Sequence, residues 1–245
     1  MQNIKLPKII GHRGAAGLAP ENTLASIKKA FVAGLSYVEV DVKTSKDNIP
    51  VLLHDDNLDR TTNGSGLCNN FNYNELLKLD AGSWFSNKYK NEKILSLSQC
   101  FDYLYKNNMN VDIELKPNKG KEIENILSIK NLVKVKNNIP KYFLSSFNVK
   151  SLEHAEKELN SIPRCLLIDK NSILTKNDII DLCCKFKCFC VGLEINIINI
   201  EVVNFLKRQN LKVVVFTVNK KNLAKNIFSL GVDSIFTDRP DLINY

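Results

Sequence analysis

No stretch of this sequence approaches the roughly 18 to 20 consecutive apolar residues that a membrane-spanning helix needs, so no transmembrane segment is expected. The N-terminus, MQNIKLPKIIG, lacks the apolar core and small-residue cleavage site of a signal peptide and reads as a mature start. The glycine-rich phosphate loop that ends in glycine, lysine and serine or threonine is missing, which leaves nucleotide-triphosphate binding of that type unsupported. Basic runs are short. The net charge is +8, yet the lysines are scattered and the basic runs are pairs such as Lys28-Lys29 and Lys220-Lys221. With no basic stripe interleaved with aromatics, the charge reads as a solvated surface and no nucleic-acid partner is expected. Cysteine is odd in number, at seven, and four lie together at Cys183, Cys184, Cys188 and Cys190. That spacing matches no zinc site and no histidine lies nearby, so reduced, buried thiols in a cytoplasmic protein are expected. Histidine is scarce, limited to His12, His54 and His154.

What is present alternates. Short β-rich runs at 8–11, 37–42, 111–115, 141–146, 164–168, 190–195, 212–218 and 233–238 are separated by helix-length segments. In the first of these, Leu24, Ile27 and Phe31 share a face and Gly34 stands where a terminating glycine belongs; segments 201–209 and 221–230 repeat the scheme, with Gly231 closing the last. Eight β–α units in 245 residues predict a single (β/α)8 TIM barrel spanning 1–245, a fold of about 250 residues. A doubly wound open sheet is the structural alternative. Residues 51–54 read as an extra short strand. Residues 55–95, polar and turn-rich around Trp84 and Phe85, read as a small insertion over the barrel mouth, after the second strand.

The strands carry charge where a core strand should not. In YVEVDV, alternation turns Val38, Val40 and Val42 toward the helices and Glu39 and Asp41 into the barrel. Two interior carboxylates repel each other and lose hydration unless a cation neutralises them. In VDIELK, Glu114 adds a third, Asp112 lies deeper and Lys116 falls just past the strand end. Three carboxylates at the carboxyl ends of neighbouring strands favour a hard divalent cation over simple ion pairing, at the end of the barrel where such enzymes do their chemistry. His12 ends the first strand and His54 ends VLLH. An imidazole pKa near ~6.5 lets one ring be neutral and the other protonated, so the two form a candidate acid/base pair. His154, in the polar helix SLEHAEKEL, is expected to be a surface ring. Arg13 offers a fork matched to phosphate oxygens and Lys116 a point charge. This set describes phosphate-ester chemistry.

GHRGAAGLAPENTLASIKKAF (11–31), YVEVDVKTSKDNIPVLLHDDNLDRTTNGSG (37–66), DAGSWF, IELK, FTVN and GVDSIFTDRPD resemble, in order, the glycerophosphodiester phosphodiesterases. The resemblance runs from residue 9 to residue 241. It implies a (β/α)8 barrel with a small insertion and hydrolysis of glycerophosphodiesters to glycerol 3-phosphate and an alcohol, in glycerophospholipid degradation. It also implies one divalent metal, Mg²⁺ or Ca²⁺. Residue by residue, it implies His12 and His54 as the acid/base pair, Glu39, Asp41 and Glu114 as metal ligands, and Arg13 and Lys116 as phosphate contacts. Glu21 and Asn22 match its Pro-Glu-Asn element and either orient the site or simply begin the first helix. The family often carries tryptophan where this chain has Phe216; Phe216 and Phe147 are pocket candidates, Phe147 being equally readable as core. Two rivals stand beside this reading. A lysophospholipase D-type enzyme on the same barrel needs an apolar channel, to which Trp84 and Phe85 would contribute. A non-catalytic phosphodiester-binding barrel needs no acid/base pair. The expected partner is a small-molecule diester; oligomeric state leaves no mark on the sequence.

Overall fold

The computed structural model describes residues 4–243, so the expected domain limits at Met1 and Tyr245 lie outside them. Nine strands form one sheet: β1 Ile9–Gly11, β2 Tyr37–Thr44, β3 Pro50–Leu52, β4 Asn110–Leu115, β5 Tyr142–Ser146, β6 Arg164–Ile168, β7 Cys188–Glu194, β8 Lys212–Phe216 and β9 Ser234–Thr237. β1 pairs in parallel with both β2 and β9, which closes eight parallel strands into a barrel and excludes the open sheet. β3 is the extra strand. It runs antiparallel to the end of β2, Val42 opposite Leu52, and delivers His54 to the mouth two residues later. The helices are α1 Leu24–Val32, α2 Tyr73–Leu76, α3 Leu97–Lys106, α4 Glu122–Val135, α5 Val149–Glu158, α6 Lys176–Lys185, α7 Ile200–Arg208 and α8 Lys221–Ser229. The fold is a TIM barrel in which α2 belongs to the segment after β3 and the other helices lie between barrel strands.

Two details depart from the pattern in the sequence. β7 starts at Cys188 because a register shift between Arg164 and Cys165 lets Cys188 pair with β6 early. On α1, the buried residues are Ser26, Ile27 and Ala30, whereas Phe31 is 41% exposed and packs edge-on against Tyr103 of α3.

Alternation divides the core. Val38, Val40 and Val42 of β2 and Val111, Ile113 and Leu115 of β4 face outward and pack on α1, α3 and α4. Inside the barrel, Ile10, Tyr37, Phe143, Cys165, Leu167, Cys190, Val214 and Phe236 fill the space below the mouth. The segment between β3 and α3 has its own small core, including Leu58, Cys68, Leu76 and Ile94 against Val51. It is tied down by Tyr89, whose hydroxyl donates to the Leu18 carbonyl at 2.9 Å. Of the clustered cysteines, Cys183, Cys188 and Cys190 are buried, but Cys184 is exposed, on the outer side of α6; all seven are free thiols.

Candidate active site

The first loop is built around strained backbone. Arg13 adopts a left-handed conformation at φ 50° and Gly14 follows at φ 86°. A side chain at Gly14 would collide with Ser26 of α1. Ser26 compensates by donating its hydroxyl to the Arg13 carbonyl at 2.8 Å, and the Arg13 N–H donates to Glu39 Oε2 at 2.8 Å. This turn aims the Arg13 side chain into the mouth, where Nη1 donates to Glu21 at 2.8 Å and Nε lies 3.4 Å from Asp41. Asn22 does not cap α1; Thr23 does. Asn22 instead grips Asp41, donating Nδ2 to its carboxylate at 2.8 Å and accepting its backbone N–H at 3.1 Å.

Glu39, Asp41 and Glu114 meet at the carboxyl ends of β2 and β4, where Asp41 and Glu114 are register partners. One oxygen from each lies within 4.8 Å of the others, and all three residues are buried. Bond lengths of about 2.0–2.6 Å let two oxygens on one Mg²⁺ or Ca²⁺ sit up to about 4–5 Å apart. The trio therefore fits a divalent cation with little closure. Glu39 Oε1 is buried with no hydrogen-bond partner, as an oxygen free to bind a cation would be, and buried Asp41 Oδ1 accepts no hydrogen bond and has only the Lys116 ammonium near it. Lys116 lies closest, its Nζ 2.7 Å from Glu114 and 3.2 Å from Asp41. The electrostatics split the trio. Burial pushes the Glu39 carboxyl up, and Asp41 and Glu114 add to the rise. Glu114 is also raised, by burial that outweighs Lys116. Burial works against Asp41 too, but Lys116, Arg13 and the Asn22 hydrogen bond overcome it and hold Asp41 well below the usual carboxylate range. Asp112 lies beneath, fully buried, and burial raises it strongly.

Both histidines of the mouth are oriented by an aspartate. His12 Nδ1 lies 2.7 Å from Asp238 and His54 Nδ1 lies 2.6 Å from Asp55. A carboxylate can only accept, so each Nδ1 carries the proton and each Nε2 is left for the site. His12 Nε2 is 4.0 Å from Glu39, on the carboxylate side. Asp238 is held low: the His12 hydrogen bond and charge, with the Asn219 amide, outweigh burial. Burial lowers His54 below the usual imidazole range, Arg13 and Lys116 assist, and Asp41 opposes.

His12, Arg13, Glu39, His54, Glu114 and Lys116 line a cavity of about 330 Å³ together with Phe147 and Phe216, and Lys116 Nζ lies 5.6 Å from the Phe147 ring centroid. Those two rings meet edge-on at 5.5 Å. Asp41 lies just beneath the floor. His154 sits on α5 and does not line the cavity; neither do Trp84 and Phe85, which pack within the segment after β3. Trp84 donates its indole N–H to the Ala81 carbonyl at 2.9 Å.

Four supporting residues had no role in the sequence reading. Asp238 and Asp55 hold the imidazoles. Arg60 donates to Glu21 at 2.7 and 2.9 Å and to Asp55 at 2.6 and 3.0 Å, bracing the two histidine-bearing loops against each other. Lys43, buried inside the barrel, donates to Asp56 at 2.7 Å and to the Lys116 carbonyl at 2.8 Å. Strand register brings Asp238 to His12: Gly11 and Thr237 are register partners, and His12 and Asp238 each follow them by one residue.

Carboxylates able to hold one cation, two aspartate-held imidazoles and two phosphate-seeking cations on a TIM barrel define a phosphoric diester hydrolase. The family model of the glycerophosphoryl diester phosphodiesterase family matches residues 12–242. A glycerophosphodiester phosphodiesterase of Caldanaerobacter subterraneus subsp. tengcongensis is 32% identical over 96% of both chains. A phosphodiesterase structure from Oleispira antarctica, in complex with the product sn-glycerol-3-phosphate, is 34% identical. It superposes with a TM-score of 0.90 over 96% of this chain and 94% of its own. A glycerophosphodiester phosphodiesterase structure from Agrobacterium tumefaciens has a TM-score of 0.78 and 25% identity over 97% of this chain and 98% of its own. The chain belongs to the glycerophosphoryl diester phosphodiesterase family.

Proposed function

We propose that the chain hydrolyses glycerophosphodiesters to sn-glycerol 3-phosphate and an alcohol, with one Mg²⁺ or Ca²⁺ held by Glu39, Asp41 and Glu114. One observation carries the reading: two imidazoles, each turned by an aspartate, share one cavity with Arg13, Lys116, Glu39 and Glu114, and Asp41 completes the carboxylate trio beneath it. The Oleispira antarctica neighbour binds sn-glycerol-3-phosphate as product, which supports the same product here.

When bound, the cation supplies Lewis-acid stabilisation of a phosphate oxygen. Arg13 and Lys116 bind the remaining charged oxygens, and their contribution grows as charge builds at the crowded phosphorus. His54 is lowered by burial, so near neutral pH its Nε2 is a free acceptor suited to take the proton of the attacking hydroxyl. His12 gives a proton to the departing alkoxide from Nε2, and Asp238 stabilises the charged ring before transfer. Glu21 and Asn22 orient Arg13 and Asp41, and Phe147 and Phe216 wall the pocket.

The whole chain serves as one phosphodiesterase domain, with residues 55–95 a small insertion whose Arg60 and Tyr89 contact the first loop at Glu21 and Leu18. Seven free thiols support a reducing, cytoplasmic setting. In it the enzyme recycles soluble products of glycerophospholipid degradation. Among the described residues no helix is long and apolar enough to cross a membrane. Neither the lysophospholipase D reading nor the non-catalytic reading gains an observation in its favour. Trp84 and Phe85 are not among the residues that line the cavity, and a binder has no use for two proton carriers.

The test is release of glycerol 3-phosphate from glycerophosphodiesters with EDTA and then with Mg²⁺ or Ca²⁺ restored, using His12→Ala as blank. Metal-restored release that the variant lacks is the expected result. Full activity of the blank would overturn the acid/base assignment.

A further inference from the structure

The cavity has two unlike poles. One is cationic, with Arg13 and Lys116 beside the carboxylate trio. The other is formed by Leu167 and Asp169 at the end of β6 and Phe216 at the end of β8, and Phe147 after β5 joins the two, its ring centroid 5.6 Å from Lys116 Nζ and 5.5 Å from that of Phe216. Asp169 reaches the cavity by strand parity: Cys165 and Leu167 face the barrel interior, and Asp169 continues the same face one residue beyond β6.

Its carboxylate stands apart from its neighbours. Around the mouth, Glu21 pairs with Arg13 and Arg60, Asp55 with Arg60, Asp56 with Lys43 and Asp238 with His12. Asp169 has no ion-pair partner among the described residues, although the chain has 34 lysines and arginines to offer. Its Oδ1 accepts the Asn171 N–H at 3.0 Å, and its carbonyl accepts the Ser172 N–H at 3.2 Å, so the turn holds it in place. Close by in the same lining, Phe147 and Phe216 present aromatic surface, and Phe147 is 39% exposed. Gly192 of β7 keeps this floor open, since a side chain there would collide with Leu167. A carboxylate without an ion-pair partner that shares one cavity with aromatic rings is the environment that a quaternary or primary ammonium group seeks.

We propose that Asp169, with Phe147 and Phe216, forms a subsite for a positively charged alcohol head group. The favoured substrates are then zwitterionic diesters, whose phosphate sits at the cationic pole and whose ammonium, a short carbon linker away, sits at Asp169. The inference rests on the phosphodiesterase reading above. A cavity of about 330 Å³ is of small-molecule size and suits such a diester.

The experiment measures kcat/KM with metal for glycerophosphocholine and glycerophosphoethanolamine, against glycerophosphoglycerol, whose head group is uncharged. It uses the wild-type protein, Asp169→Asn and Phe147→Leu. Asparagine matches aspartate in shape and keeps the acceptor for the Asn171 N–H, so the turn survives. The expected result is a fall of about tenfold in the ratio of cationic to uncharged substrates for Asp169→Asn, carried mainly by KM. Phe147→Leu should lower the ratio more for choline than for ethanolamine. A ratio that stays constant, whether activity is kept or falls equally on all diesters, overturns the subsite while leaving the phosphodiesterase reading standing. A wild-type protein that turns over none of the diesters overturns both.

Discussion

Asp238→Asn exchanges one carboxylate oxygen for an NH₂ group and changes almost nothing in size. Its effect follows from Asn219. The Asn219 Oδ1 accepts the Asp238 backbone N–H at 2.8 Å and the Thr237 hydroxyl at 3.1 Å. That fixes the amide, so Asn219 Nδ2 must point at residue 238, where it now donates to Asp238 Oδ2 at 2.7 Å. A carboxamide at 238 has a single acceptor oxygen, and Asn219 claims it. The new NH₂ then faces His12 Nδ1, which must accept, and the imidazole proton moves to Nε2. The neutral ring then keeps a proton on Nε2 but is a far weaker acid than an imidazolium, because the carboxylate that stabilised the charged form is gone. A positioned proton transfer is worth about 10²–10⁴ in rate, or about 3–5 kcal/mol of barrier. The expected outcome is a kcat lower by about 100-fold or more, with a Tm within about 4 °C of wild type because packing is conserved. Steady-state kinetics beside thermal unfolding checks both. A kcat within about threefold of wild type would refute the charge-stabilisation argument, and with it the role of Asp238.

Arg60→Met removes the brace between Glu21 and Asp55. Arg60 is largely exposed, so its two ion pairs stabilise the fold by only about 1 kcal/mol, which shifts Tm by about 2–4 °C. The reading requires a larger effect on turnover, about tenfold in kcat; a loss of stability with kcat intact would make the brace purely structural. Glu39→Gln is expected to weaken Mg²⁺ or Ca²⁺ binding by about tenfold or more in calorimetric titration, and unaltered affinity removes Glu39 from the ligand set. Metal binding should also be pH-linked. Burial raises Glu39 and Glu114, so the metal-free fold holds protons that the unfolded chain releases. That contribution is complete below the unfolded value near ~4.3 and is lost as pH rises through the raised folded values. A cation must displace those protons, so the metal-induced rise in Tm should be larger at about pH 8 than at about pH 5. An equal rise at both would mean that the carboxyls are already ionised.

Parity and order are local properties, and the sequence by itself determined what depends on them. Alternation along β2 and β4 puts Glu39, Asp41 and Glu114 on the interior face whatever the rest of the chain does, and eight β–α units leave the barrel as the natural closure. The position of His12 at the end of β1 and of His54 just past β3 follows from the same reading. Which groups hold these side chains depends on long-range packing. Asp238 meets His12 across 226 residues because β1 closes against β9, and no local pattern encodes that pairing. Asn22 could have begun α1; a left-handed backbone at φ 57° turns it onto Asp41 instead. Arg60 reaches Glu21 because the segment after β3 folds back over the first loop. The unpaired state of Asp169 is a matter of which cations fail to arrive, and that is set by the packing of eight separate loops around one mouth.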